Sequence, residues 1–355
     1  MKRYVAIDAG KFATKCAEYN IKKNETTKFH FATKMSEGNF KDDALEPDTY
    51  LAEIDGKVYK FGRGATGIGA SLVTDKTSEI HRNSILTALA TMASDKEEDE
   101  FNVATCIPAS DWSDVNKREI AKEYLLPSGK FEINFRGPMD KEVKKKVFTI
   151  SQETKLCLPE SIGGLFMDET PKFDELTNIG VIDIGSLNVH ITKWLGVVME
   201  KDGCDTAELG GTILARNLAR QLSVAFSRCD EDLVRRILLL KPEARHLYPN
   251  NKNEEIIRKS KEMIDKALLE HVQNVRNLCD AKGWPLDFMD LRFIGGTSYV
   301  LQNEIKQVFG EDAFILSNSS FCNVLGCLRS LCSRMPEIGK RIPLPVEEEK
   351  DKKVA

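Results

Sequence analysis

The sequence predicts an α/β protein with two related domains, and three short segments carry that prediction. Val5-Ala6-Ile7-Asp8-Ala9-Gly10 and Val181-Ile182-Asp183-Ile184-Gly185 are apolar strands in which an aspartate stands two positions before a glycine. An unpaired carboxylate is too costly to bury in a core, and a glycine lets the backbone approach a bound group closely. Ile294-Gly295-Gly296-Thr297 follows in the second half. Together the three segments predict a duplicated nucleotide-binding core around a cleft.

Size and charge exclude several classes of protein. The 355 residues suffice for two domains, and 51 basic against 55 acidic residues give a net charge of −4, which argues against a dedicated nucleic-acid binder. No stretch reaches the roughly 18–20 apolar residues of a membrane helix. A strand begins directly after Met1-Lys2-Arg3, so we expect no signal peptide and a cytoplasmic location. The nine cysteines lack Cys-x-x-Cys pairs and are expected to be reduced.

The order of apolar runs and turns predicts the domain boundaries. Each half opens with a strand, a glycine-containing turn and a second strand, which indicates a hairpin rather than a strand-to-helix opening. A helix is expected after each opening, with apolar residues at helical spacing. The prolines and charged run at the C-terminus predict disorder. The expected segments are domain I at 1–168 with a small peripheral insert at about 20–98, domain II at 178–318 with an insert at about 200–270, a C-terminal helix at 319–336 packing back on domain I, and a disordered tail at 337–355.

The first hairpin turn predicts a phosphate site. Its backbone amides can form a concave nest for an anion, to which Gly10 and Thr14 would contribute. Lys15 would reach a β-phosphate as a point charge, and Asp8 would hold Mg²⁺ through water. The alternative is an ordinary hairpin with a surface lysine.

The second half repeats this device. Asp183, Gly185 and Ser186 form a matching turn, so two loops would clamp a triphosphate and its metal from opposite sides. Gly295-Gly296-Thr297 lies between a strand and a helix, where amides bind phosphate or ribose. The alternative for this third segment is a turn that merely needs glycines.

Glu160, in Pro159-Glu160-Ser161, is the candidate catalytic carboxylate. If it points into the cleft, it orients or deprotonates a water for in-line attack on the γ-phosphate. A glutamate at a helix start is also a common cap arrangement, which is the structural alternative. Gln152 and Glu153 are lesser candidates for the same role.

The order of these pieces resembles the actin/sugar kinase/heat-shock-chaperone ATPase superfamily, and within it the ParM-type bacterial actin-like ATPases. Asp8 through Lys15 is similar to the first phosphate loop of that family, and Asp183-Ile184-Gly185 to the second. Pro159-Glu160-Ser161-Ile162 resembles the connecting segment whose glutamate is implicated in hydrolysis. Arg292–Thr297 resembles the adenosine segment, and Phe321–Leu328 stands in the place of the second connecting helix.

The resemblance implies an actin-like fold and a set of functional residues. Glu160, Asp183 and Asp8 would be catalytic, and both aspartates would hold Mg²⁺ through water. The base would lie against a helix around Lys261 and Glu262. The implied nucleotide contacts are Gly10, Lys11, Thr14, Lys15, Gly185, Ser186, Gly210, Gly211, Lys261, Glu262, Gly295, Gly296 and Thr297.

The resemblance also implies a function. ATP, or GTP, with Mg²⁺ would promote head-to-tail self-assembly, and hydrolysis would destabilise the filament. Such filaments move plasmid copies through an adaptor protein bound to centromere-like DNA, without direct DNA readout by the filament protein. Two alternatives stay open, namely a small-molecule kinase of the same superfamily and a monomeric chaperone-like ATPase.

Overall fold

The computed structural model describes residues 1–41, 45–67, 69–70, 75–167, 177–227, 229–248, 253–339 and 341–345. The chain divides into two compact units. The first unit comprises Met1–Met167 and Asn323–Val346, and the second contains Asp168–Cys322. Each unit has its own cluster of buried apolar side chains.

The first unit is built on one mixed sheet. In chain order its strands are β1 Lys2–Ala9, β2 Ala13–Asn20, β3 Glu25–Ala32, β4 Met35–Glu37, β5 Thr49–Ile54, β6 Lys57–Gly62, β7 Asp99–Ile107, β8 Gly129–Arg136, β9 Lys144–Ile150 and β10 Leu156–Pro159. Their order across the sheet is β3-β2-β1-β7-β9-β8-β5-β6-β4, and β10 pairs with β7. The β1–β2 pair is the predicted hairpin, antiparallel, with Asp8 opposite Lys15. Strand β1 pairs in parallel with β7.

Apolar residues of the strands and of one long helix form the core of this unit. The helices are α1 Glu79–Met92, α2 Ala109–Trp112, α3 Val115–Leu125 and α4 Gly163–Phe166. Helix α1 confirms the predicted helix after the first hairpin, and its Ile85 and Leu89 are fully buried together with Val5 and Phe31. Strands β3, β5 and β6 contribute to this core together with α1. Within the insert predicted at about 20–98, β3 pairs with the β1–β2 hairpin and β4 to β6 lie at the far end of the sheet, so the bounds of that insert stay a prediction.

The second unit repeats the opening of the first. Its strands are β11 Asn178–Ile184, β12 Val189–Leu195, β13 Val198–Ala207, β14 Asp290–Ile294 and β15 Phe314–Ile315, in the order β13-β12-β11-β14-β15. Strand β11 is antiparallel to β12, with Asp183 opposite His190, and parallel to β14. The pattern β3-β2-β1-β7 therefore recurs as β13-β12-β11-β14, as the predicted duplication requires.

Helices complete the second core. They are α5 Gly211–Phe226, α6 Glu231–Leu238, α7 Glu254–Ala281, α8 Gly296–Val300 and α9 Gln302–Phe309. Leu214, Leu218 and Leu222 of α5 are buried in this core. The insert predicted at about 200–270 therefore begins too early, because β13 pairs with β12 in the sheet of this unit and α5 belongs to its core.

The C-terminal segment contradicts the predicted disorder over part of its length. After helix α10, Cys322–Cys332, Ile338 and Ile342 are 7% and 3% exposed. The Tyr4 hydroxyl donates to Glu337 at 2.7 Å, and the Thr26 hydroxyl donates to the Pro343 carbonyl at 2.7 Å. Buried apolar side chains and hydrogen bonds hold 337–339 and 341–345 to the first unit, so the prediction is wrong there. Residue 340 and residues 346–355 lie outside the described residues.

Candidate nucleotide-binding loops and catalytic carboxylates

The first predicted phosphate loop is a tight turn between β1 and β2. The Gly10 amide donates to the Ala13 carbonyl at 3.1 Å and closes the turn. A Cβ on Gly10 would lie 2.9 Å from that same oxygen, so the turn requires glycine. Lys11 and Lys15 are half-buried. Thr14 is fully buried, with its hydroxyl 3.0 Å from that of Thr33. The Thr14 side chain is thus engaged with Thr33, and the nucleotide contact expected at Thr14 stays a prediction.

Three charged side chains meet at the C-terminal end of β1. Lys76 Nζ lies 2.9 Å from Asp8 Oδ1 and 2.5 Å from Glu160 Oε1. The side chains are nearly buried, since these residues are 6–7% exposed. The ammonium also donates to the Cys106 carbonyl at 3.4 Å. We call Asp8, Lys76 and Glu160 the buried triad.

The charges of the buried triad stabilise one another. Burial acts to raise the pKa of the Asp8 carboxyl, but the positive charges of Lys76 and Lys15 outweigh it and hold that pKa below its usual value. Burial acts to lower the pKa of Lys76, but the two carboxylates hold it well above its usual value. Burial, and then repulsion from Lys76, lower the pKa of His81 to about 4. Asp8 and Lys76 are therefore ionised at neutral pH beside a neutral histidine.

Backbone contacts fix Glu160 at the end of β10. Its amide donates to the Ile107 carbonyl at 2.7 Å. The next residue, Ser161, has a positive φ of 76°, and its amide donates to Asn323 Oδ1 at 2.9 Å. Helix α4 begins only at Gly163, so Glu160 precedes the helix rather than capping its first turn. Gln152 and Glu153 are exposed ahead of β10, and neither carries a contact with the triad.

The second loop repeats the geometry of the first. The Gly185 amide donates to the Asn188 carbonyl at 2.9 Å, as Gly10 does to Ala13. The carboxylate that ends this strand, Asp183, is 7% exposed, the same as Asp8. Gly185 and Ser186 are half-buried. The two turns thus place an aspartate and a glycine alike in each unit.

The start of α5 supports this second loop from behind. The amides of Gly210, Gly211 and Thr212 donate to the carbonyls of Leu187, Gly185 and Ser186 at 2.9, 3.0 and 2.6 Å. Each amide has a single hydrogen to donate. These amides therefore order the loop itself, and the nucleotide contacts expected at Gly210 and Gly211 stay a prediction.

The predicted adenosine segment packs against the same loop. Gly295 has φ +91°, and a Cβ there would lie 2.4 Å from Asp183 Oδ1. The Thr297 hydroxyl donates to the Gly185 carbonyl at 3.0 Å. A Cβ on Gly211 would lie 2.5 Å from that hydroxyl oxygen. The glycines at 211 and 295 thus permit close packing around Asp183, and Gly296, which begins α8, is half-buried beside them.

The two residues predicted to face the base are already engaged. On α7, Lys261 Nζ lies 2.9 Å from Asp265 Oδ2 and 3.0 Å from the Pro242 carbonyl. Glu262 pairs with Arg258 at 2.7 Å. Their role toward a base stays a prediction.

The residues present fit a magnesium nucleotide better than a protein-bound metal. Over the described part of the chain, no group of three or more His, Cys, Asp or Glu side chains is arranged to hold a metal ion. A Mg²⁺ ion usually retains waters and takes one or two carboxylates together with substrate phosphates. Each unit offers one carboxylate of this kind, Asp8 in the first and Asp183 in the second, beside a turn closed by a glycine.

Lys76 is the functional candidate that sequence reasoning missed. It lies in the polar segment Asp75-Lys76-Thr77-Ser78 before α1, which has the composition of an ordinary exposed turn. Nothing in that pattern distinguishes a buried lysine from a surface one, because its partners lie far away along the chain.

Both the sequence and the fold are similar to those of known proteins. Residues 6–163 match the family model of the N-terminal domain of actin-like proteins. No curated protein matched the sequence. Among the residues described, no helix is long and apolar enough to cross a membrane.

Similar solved structures extend over nearly the whole chain. The Alp12 filament structure is 22% identical with a TM-score of 0.68, covering 94% of this chain and 99% of that one. The apo psk41 ParM protein is 14% identical with a TM-score of 0.69, covering 96% and 99%. Ta0583, an archaeal actin homologue in complex with ADP, is 16% identical with a TM-score of 0.67, covering 93% and 99%. At these identities the likeness establishes the fold, which is actin-like.

Proposed function

Because residues 6–163 match the model of the N-terminal domain of actin-like proteins and the fold is actin-like, we propose that the chain binds and hydrolyses ATP or GTP with Mg²⁺ and assembles head-to-tail into filaments. The observation that carries the proposal is the repeated turn, in which Gly10 and Gly185 each close a loop beside a buried aspartate. Contacts that repeat head-to-tail do not close on themselves, so one protomer generates an open filament.

In this proposal each unit contributes one phosphate-binding loop. Lys15 offers a positive charge to the phosphates, and Asp8 and Asp183 hold the waters of the metal. Bound Mg²⁺ supplies neutralisation of charge on the phosphate oxygens. The amides of Gly10 and Gly185 close the two turns. The other backbone amides of these turns would donate to phosphate oxygens.

Glu160 is the proposed general base. It accepts a proton from the water that attacks the γ-phosphorus, the bond to the β–γ bridging oxygen breaks, and the diphosphate and inorganic phosphate leave. The support for this role is its burial together with Asp8 in one triad, at the end of a strand that pairs with β7.

We extend the proposal to the cellular role that the ParM-type resemblance implies. Filaments of this chain would move plasmid DNA through an adaptor protein bound to a centromere-like sequence, within the bacterial cytoplasm. The solved relatives support self-assembly, since one of them is a filament structure.

Light scattering and pelleting test the assembly. Mg-ATP or Mg-GTP is expected to produce a rapid polymer signal that decays as the nucleotide is consumed, and neither Mg-ADP nor nucleotide with a chelator should sustain it. Turnover by a protein that stays monomeric would favour the chaperone-like ATPase, and phosphorylation of a small molecule without polymer would favour the kinase.

A matched pair of variants tests the site. Asp183→Ala should weaken magnesium-nucleotide binding by about 10- to 100-fold, the range for losing a contact made by a charged group. Asp205→Ala removes a surface carboxylate of the same unit, which pairs with Lys282 at 3.1 Å, and should leave affinity unchanged. Unaltered affinity in Asp183→Ala would exclude that aspartate from the metal site.

A further inference from the structure

Lys76 is the counter-ion of two carboxylates to which the proposed function gives a role, Asp8 at the metal and Glu160 as general base. Its ammonium contacts one oxygen of Asp8 and one oxygen of Glu160, at 2.9 and 2.5 Å. Two buried carboxylates with no cation between them would repel, and one would take up a proton. The lysine therefore lets both remain ionised when no ligand is bound.

This arrangement also restrains both carboxylates. A carboxylate bonded to an ammonium is a weaker proton acceptor than one that is not, so Glu160 is a poor base while Lys76 holds it. Asp8 likewise has one oxygen committed to the lysine. The buried triad is thus a resting arrangement rather than the one in which hydrolysis occurs.

We infer that Lys76 senses the terminal phosphate of the bound nucleotide. The ammonium exchanges Glu160 for an oxygen of the γ-phosphate, and Glu160 is then released to accept the proton of the attacking water. This inference rests on the proposed function and deepens it, because it names what makes the site respond to a triphosphate rather than a diphosphate.

The chemistry of the groups supports such an exchange. A lysine carries a compact charge on a flexible four-carbon stem, so it can change partners without moving the backbone. A γ-phosphate has more negative charge and more acceptor oxygens than a carboxylate. Lys15, opposite Asp8 across the hairpin, remains beside that carboxylate while Lys76 exchanges Glu160 for the phosphate. Only a ligand that interacts differently with the two positions of Lys76 can shift the equilibrium between them. A nucleoside diphosphate lacks the γ-phosphate and therefore does not shift it.

Nucleotide binding to Lys76→Met tests the inference. Calorimetry with a non-hydrolysable ATP analogue and with ADP, both with Mg²⁺, gives the preference for triphosphate in each protein. Loss of a charged contact to the terminal phosphate should reduce that preference by about tenfold or more while ADP affinity changes little. An unchanged preference in a folded variant would overturn the inference.

Lys155→Met is the matched control for losing a buried lysine in the same unit. Lys155 is 5% exposed and donates to Glu123 at 2.6 Å and to the Leu126 carbonyl at 3.2 Å. The Lys155→Met variant should be less stable than the wild type but should keep the wild-type preference for triphosphate over diphosphate. If wild-type protein binds neither nucleotide, the proposed function itself fails, which is a different outcome from a preserved preference in Lys76→Met.

Lys76→Arg keeps the inference testable if Lys76→Met does not fold. The guanidinium keeps the positive charge between the carboxylates, but its planar fork favours paired bonds to a carboxylate. We expect this variant to fold, to bind the analogue and ADP with a reduced preference, and to hydrolyse slowly. Wild-type preference together with wild-type turnover would overturn the inference.

Discussion

Gly295 lies so close to Asp183 that a Cβ on the glycine would stand 2.4 Å from the Asp183 carboxylate. The same residue has φ +91° and ψ 151°, a conformation almost restricted to glycine. The second of the two consecutive glycines, Gly296, begins helix α8. The glycine pair thus lets a strand end approach the carboxylate proposed to hold the metal.

We therefore expect Gly295→Ala to impair nucleotide binding more than stability alone explains. The backbone strain destabilises the fold by about 1–3 kcal/mol, and the added methyl group displaces the Asp183 carboxylate. Denaturation and calorimetry with a magnesium nucleotide measure the two effects separately.

Gly310→Ala separates strain from displacement. Gly310 has φ 103° and ψ 161°, and a Cβ there would meet nothing within 4 Å. It should lose similar stability yet keep wild-type affinity. Equal affinities in the two variants would show that the approach to Asp183 has no functional consequence.

Local patterns explain why the two loops could be predicted from the sequence. In each loop the aspartate and the glycine are two positions apart, as in Asp8 with Gly10 and Asp183 with Gly185. An apolar strand and its turn can therefore be recognised without tertiary information. Lys76 could not be found in this way, since its bond to Asp8 spans 68 positions and burial of a lysine depends on the folded partners.

The C-terminal segment shows a second limit. Its prolines and charges predict disorder, but composition does not report packing. Ile338 and Ile342 are apolar residues within that polar composition. Both side chains are buried because they pack on the rest of the first unit. A local sequence pattern does not contain that information.

Glu160→Gln should slow hydrolysis while preserving binding and prolonging the life of the polymer. The amide cannot accept the proton of the attacking water, and loss of a general base typically lowers turnover by about 10²- to 10⁴-fold. Phosphate release and pelleting over time measure both effects.

Glu153→Gln serves as the control for this substitution. Glu153 is an exposed glutamate that precedes β10, the strand after which Glu160 lies. If its variant slowed turnover while Glu160→Gln did not, the two roles would have to be exchanged.

Stability should fall as the pH drops from about 6.5 toward 4, because buried histidines stay neutral in the folded state. Burial lowers the pKa of both His81 and His271 to about 4. Below about pH 6.5 the unfolded chain binds these protons and the folded protein does not. Proton binding therefore stabilises the unfolded state relative to the folded state until the pH reaches the pKa of the folded protein. Each histidine should reduce the free energy of unfolding by about 2 kcal/mol between pH 7 and pH 5.

Denaturant titrations at pH 7 and pH 5 check this linkage. His81→Gln should show a smaller difference between the two pH values than the wild type, and His271→Gln should show the same in the second unit. A wild-type stability that does not change over this interval would contradict the buried, neutral state of both rings.

The packing of the C-terminal segment predicts the effect of truncating a single side chain. Ile342 is 3% exposed, and its carbonyl accepts from Arg329 at 3.2 Å. Ile342→Ala should lower the free energy of unfolding by about 2–5 kcal/mol, the range for removing a buried isoleucine side chain. Ile21→Ala, at a position of the same unit that is 41% exposed, should change it by at most about 0.5 kcal/mol. Urea denaturation of the two variants distinguishes the cases, because equal small losses would mean that the segment does not pack on the first unit.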